Sequence, residues 1–149
     1  MLRSNMPGSA CDDGRASLEF LVLGIAGVIP VMFLGLNIAS IQGATLAAET
    51  ATAHATRVFI QESTVDEALS RAKVAAVIAL ANHGISSYQE FSLSCAPSSC
   101  LQPGSIVTIR VGVDAPLFST DLLPGVLGAE TLRVTAESTR MVSRYGVPE

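Results

Sequence analysis

From Phe20 to Ala48 the chain carries no charged side chain, an unbroken run of 29 residues. Roughly 20 apolar residues suffice to cross the hydrocarbon of a bilayer as a helix, because a helix satisfies every backbone N–H and C=O within its own segment. The run therefore predicts one membrane-spanning helix over about 20–42, inside a longer helix that continues to about residue 60. It also accounts for a composition that is 49% hydrophobic over 149 residues, with a mean hydropathy of +0.47. That is high for a soluble chain of this length.

Glu19 stands immediately before this run, at its mouth rather than back among the polar residues. A carboxylate at the edge of hydrocarbon costs several kcal/mol unless it is paired or neutralised, so it needs a partner. Gly14 lies five residues upstream, and a cut after it makes Glu19 the fifth residue of a new chain. The freed α-ammonium of a neighbouring copy or related subunit is then a candidate partner.

A short polar leader, then Gly14, four residues, Glu19-Phe20 and an uncharged helix together resemble the class III signal of type IV pilins and pseudopilins. Within that group the chain is most similar to the TadE-like minor pilins of tight-adherence, Flp-type systems. The resemblance covers Gly14 to about Arg57 by motif and the remainder by size and layout. It implies a prepilin peptidase cutting between Gly14 and Arg15, with residues 1–14 as the leader peptide. Glu19 and Phe20 would set subunit register. Membrane lipid, other pilin or pseudopilin subunits bound through the N-terminal helix, and the peptidase itself would be the partners. The implied role is structural: assembly or initiation of an adhesive pilus from the cytoplasmic membrane, with the C-terminal domain outside and the subunit either staying in the membrane or entering the fibre. This leader departs from the pattern in placing Asp12 and Asp13 before the glycine, where basic residues are common in the family.

Two other readings stay open on the residues alone. One is an uncleaved single-pass envelope protein whose outer domain binds a ligand or partner. The other is a pseudopilin of a secretion or DNA-uptake machine, which shares the signal. Residues 1–14 contain Pro7 and Gly8 and no apolar core of the kind a conventional secretory signal needs.

Gly24, Gly27, Gly35 and Gly43 give the helix small faces on which another helix can pack closely. Pro30 removes one backbone donor and predicts a local kink. Past Gln42 the sequence turns alanine-rich. Ala47, Ala51, Ala55 and Val58 share one stripe and Leu46, Glu49, Ala53, Thr56 and Ile60 another, so the small face is expected to pack on a domain.

That domain, 61–149, reads as α+β. Thr64-Val65-Asp66-Glu67 matches a capping box, Val65, Leu69, Ala72, Ala76 and Leu80 recur at helical spacing, and Gly84 is placed to stop a second helix. The period then changes from 3.6 to 2. Phe91, Leu93 and Cys95, then Val107, Ile109, Val111 and Val113, then Leu132, Val134 and Ala136 alternate with polar residues, predicting three antiparallel strands. The fold class expected is thus a long N-terminal transmembrane helix continuing into a small domain with a second helix and a roughly three-stranded antiparallel sheet, a pilin-like layout. Between the second and third strands Leu117, Phe118, Leu122, Leu123, Val126 and Leu127 either fill the core or form a contact surface.

Of three cysteines, cleavage would remove Cys11 and leave Cys95 and Cys100 flanking a short loop. They read as a disulfide or as two free thiols; a disulfide would put this loop outside the reducing cytosol. Zinc is a poor fit, since no second Cys/His pair stands nearby. A net charge of −4 with no basic cluster argues against nucleic acid. No phosphate loop, metal-spaced histidine pair or nucleophile elbow is present in the sequence, and no enzyme or cofactor is expected. His54 and His83 read as structural.

Overall fold

A computed structural model describes residues 13–97, 99–117 and 131–145, with Asp13, Gly14 and Arg15 as backbone only. The chain divides into two compact units, Met1–Leu36 and Asn37–Glu149, and a 47-residue helix, α1 (Asp13–Phe59), contributes to both.

In the first unit the helix has no inner face. Leu18, Leu21, Leu23, Ile25, Val28, Ile29, Val31, Met32 and Leu34 point in all directions, and each leaves at least half its surface exposed. A helix apolar all round is built for burial, and no described part of the chain buries it. Pro30 lies inside α1 without ending it.

In the second unit the rest of α1 gains a face. Ala44, Ala47, Ala48, Ala51, Ala55 and Phe59 are buried at the i, i+3, i+4 recurrence of one helical stripe. This is the alanine stripe expected from sequence, extended by Ala48 and Phe59, while Leu46 on the other side is exposed. Thr52 and Thr56 are also buried and stay satisfied. The Thr52 hydroxyl donates to the Ala48 carbonyl at 3.0 Å and the Thr56 hydroxyl to the Thr52 carbonyl at 2.6 Å. Such i−4 bonds let a polar residue sit in a helix interior.

Helix α2 (Val65–Ala81) starts at Thr64 as its sequence suggests, but the threonine hydroxyl makes no capping bond. Glu67, the residue that would close the box, is instead held by Arg71 at 2.7 Å, and the same guanidinium reaches Glu62 at 3.0 Å. The buried stripe is Ala68, Ala72, Ala76, Ala79 and Leu80, with Leu69 only half-buried and Val65 exposed. The exit is a Schellman turn: Gly84 has φ +77°, its N–H reaches the Ala81 carbonyl, and the Ile85 N–H reaches the Leu80 carbonyl. Only a glycine takes that φ without a Cβ penalty.

The sheet has the order β1-β2-β3, all antiparallel, from β1 (Glu90–Ala96), β2 (Ile106–Pro116) and β3 (Thr131–Met141). Register puts Phe91, Leu93 and Cys95 opposite Val111, Ile109 and Val107, and Val113 and Val111 opposite Val134 and Ala136. Val107, Ile109, Val111, Val113 and Ala115 are fully buried and form one core with the stripes of α1 and α2. The layout is α+β as expected, with β2 and β3 longer than the alternation in the sequence indicated. On the other face, directly opposed pairs make a polar ladder: Thr108 with Thr139 at 2.9 Å, Arg110 with Glu137 at 2.7 Å, Asp114 with Arg133 at 3.3 Å. Opposite charges facing each other across strands add to pairing and keep this face in water.

Candidate functional site

Among the described residues α1 is the one helix long and apolar enough to cross a membrane. The residues singled out for processing and register open it. Gly14 and Arg15 lie in the helix backbone, residues 1–12 of the leader fall outside the described residues, and Glu19 and Phe20 are exposed. Phe20 leaves 80% of its surface uncovered. No cation among the described residues pairs with Glu19. A lone carboxylate on an otherwise apolar surface is stable only in water, in its neutral form or against a cation from another molecule.

The second site residue pair is joined. Cys95, at the end of β1, is bonded to Cys100 across the β1–β2 connection, with Cα atoms 5.1 Å apart. The Ser105 hydroxyl, buried, donates to the Ser99 carbonyl at 2.7 Å and ties the same connection to the start of β2. The loop is thus closed twice, once covalently and once by a hydrogen bond. The sequence left bonded and free thiols open; the geometry of this pair is that of a disulfide.

An open groove of about 510 Å³ was not foreseen. Ser40, His83, Ser86, Gln89, Asp114 and Thr131 supply its polar lining. The Ser40 hydroxyl donates to the Pro116 carbonyl at 2.5 Å, so α1 and the end of β2 form one wall. No sequence motif marks it, because its residues come from four separate stretches. Asp114 is already engaged by Arg133. Among the described residues no three of His, Cys, Asp or Glu converge as metal ligands. The apolar connection 118–130 lies outside the described residues; Leu117 at its start is half-buried.

On the free face of the sheet, the Arg110 guanidinium is held above its ordinary range, first by its hydrogen bond to Glu137, then by the charges of Glu137 and Glu90. That environment fits a solvated ion-pair ladder rather than a reacting centre.

No family model, no curated protein and no solved structure matches this chain. The functional reading therefore rests on the helix, its carboxylate and the unit it carries.

Proposed function

We propose that this chain is a membrane-anchored structural subunit of the TadE-like minor pilin kind, taking part in assembly or initiation of a thin adhesive pilus. On this reading a prepilin peptidase cuts after Gly14. Arg15 then supplies the new α-ammonium, and Glu19 of a neighbouring subunit meets it. The helix stays in the membrane or in the fibre, and the α+β unit stands outside, where Cys95–Cys100 resists reduction.

The observation that carries the reading is the division of labour within α1. Its first half exposes apolar side chains all round with one carboxylate at the mouth that is unpaired among the described residues, and its second half presents an alanine stripe to an α+β core. A plain membrane anchor needs neither the carboxylate nor the continuous helix. N-terminal sequencing of protein extracted from membranes tests it: Arg15 as first residue is the expected result, and Gly14→Leu should leave the chain at full mass. Recovery of Met1 from the native material refutes the cleavage. Glu19→Val should spare membrane insertion and impair assembly, and normal piliation would count against the carboxylate's role.

One observation favours the second reading, an uncleaved envelope protein with a binding domain. The groove beside Ser40 and Asp114 is large enough for a small polar ligand. Met1 at the N terminus together with saturable ligand binding would select it.

A further inference from the structure

Half of the arginines of the second unit have a carboxylate of their own. Arg71 holds Glu62 and Glu67, Arg110 holds Glu137, and Arg133 holds Asp114. Arg144, Arg57 and Arg140 pair with no carboxylate among the described residues, and the last two are not scattered. Together with His54 and Ala53 these two line one hollow of about 100 Å³.

Two separate elements are needed to bring these charges together. His54 and Arg57 are exposed on α1. Arg140 stands opposite Val107 near the end of β3, so its place in the ladder is on the side of the sheet that packs on the helices. The Thr56 hydroxyl reaches the Ser138 carbonyl at 3.4 Å and fixes that end of β3 against α1. Two guanidinium groups gathered without a carboxylate beside them repel one another, and an arriving anion relieves this. Guanidinium groups take a carboxylate with particular geometric preference.

The chain carries a matching group on the same helix. Glu49 is exposed, is unpaired among the described residues, and lies two helical steps before Arg57, with Ala53 between them at i, i+4, i+8. Within one copy the two are about 12 Å apart along the axis at 1.5 Å per residue, which keeps them from pairing. We propose that the hollow formed by His54, Arg57 and Arg140 receives Glu49 of a second copy of this chain, packed parallel and displaced by about eight residues along α1.

The inference rests on the membrane-spanning part of the reading above, which makes neighbouring copies parallel, and not on cleavage after Gly14. In-register pairing would set Arg57 against Arg57 and Glu49 against Glu49. Displacement removes both repulsions and sets one Glu49 against one Arg57 at each contact. The contact is heterologous, since each copy offers Glu49 to one neighbour and its hollow to the next, so it propagates rather than closing as a dimer.

The test is a charge swap in full-length protein, with two differently tagged copies co-expressed in membranes and co-purified in detergent. One copy carries Glu49→Arg, the other Arg57→Glu with Arg140→Glu. Each variant against itself should lose about tenfold in recovered pairs, because like charges meet at the contact. The two variants against each other should recover to within about threefold of the original chain, since attraction is restored at the same positions. Recovery in the mixed pair also shows that both variants fold. A mixed pair no better than the self-pairs, or self-pairs that associate as the original does, overturns the proposal. The mass of the same samples reads the N terminus separately: pairs that swap as expected while residues 1–14 remain would refute cleavage and leave this contact standing.

Discussion

Leu80 and Ile78 stand two residues apart on α2 and face opposite environments. Leu80 is fully buried, and Ile78 leaves 58% of its surface exposed. Replacing Leu80 by alanine removes three carbons from the core, about 2.4 kcal/mol of transfer free energy at about 0.8 kcal/mol per buried group. The unfilled cavity adds to this, and buried Leu→Ala changes span about 2.7–5 kcal/mol. A loss in the upper part of that range, about 4 kcal/mol, is expected, because the stripe beside Leu80 consists of alanines, whose short side chains cannot swing into the gap. Ile78→Ala should stay within about 0.5 kcal/mol, since little surface is re-exposed and alanine is the better helix former. Pulse proteolysis of the full-length protein in detergent across a urea series reads both. With slopes of about 1–3 kcal/mol per molar urea, Leu80→Ala should lower the midpoint by about 1 M or more, and Ile78→Ala should barely move it. Equal shifts for the two variants would refute the assignment of the buried face of α2, and with it the alanine-lined core.

Three further outcomes are expected. Cys95→Ser with Cys100→Ser removes a link between residues five apart in sequence, and the closed-loop entropy of so short a span corresponds to about 2 kcal/mol; the variant's urea midpoint should fall and lose its response to reductant, and an unchanged midpoint counts against the bond. Val28→Arg puts a charge in the middle of the apolar run at a cost of about 2.5–3.5 kcal/mol in the bilayer, so the fraction resisting alkaline extraction from membranes should drop, and full retention would argue against a span here. Arg110 is held above its ordinary range in the folded state by Glu137. A raised folded value means its contribution is complete below the ordinary arginine range and is lost only as pH climbs through it. The stability gap between the original chain and Arg110→Gln should therefore stay constant from about pH 8 to about pH 10, and a gap that narrows in that window would refute the pairing.

The fold was legible where one physical signal dominated. The uncharged run up to Ala48 declared the helix, the alternation in Val107, Ile109, Val111 and Val113 declared the central strand, and Gly84 declared the stop of α2 because its φ of +77° suits no other residue as well. It was less legible where two signals competed. At the start of α2 the capping pattern was present, but Arg71 one turn on drew Glu67 away from it. Along the rest of that helix, Val65 is more apolar than Ala68, yet the alanine is buried and the valine exposed, since close approach to the core favours the smaller side chain. The far end of β3 gave no alternation at all: Glu137, Ser138, Thr139 and Arg140 are polar on both faces. Those four residues are strand because β2 pairs with them, which a local pattern cannot reveal.

That same stretch explains why the cationic hollow could not be read in advance. Arg57 and Arg140 are distant in sequence and meet only because β3 runs on past its apolar part and returns to α1. An arginine in a register position that elsewhere holds Val134 and Ala136 is a local conflict between pattern and fold, and such conflicts concentrate where a surface has a task beyond stability. Glu19 presents the same kind of conflict at the other end of the helix, an acid where only apolar residues belong. Both exceptions on α1 are charges without a partner among the described residues, and on the reading proposed above both would be resolved by the same event, the arrival of a second helix alongside the first.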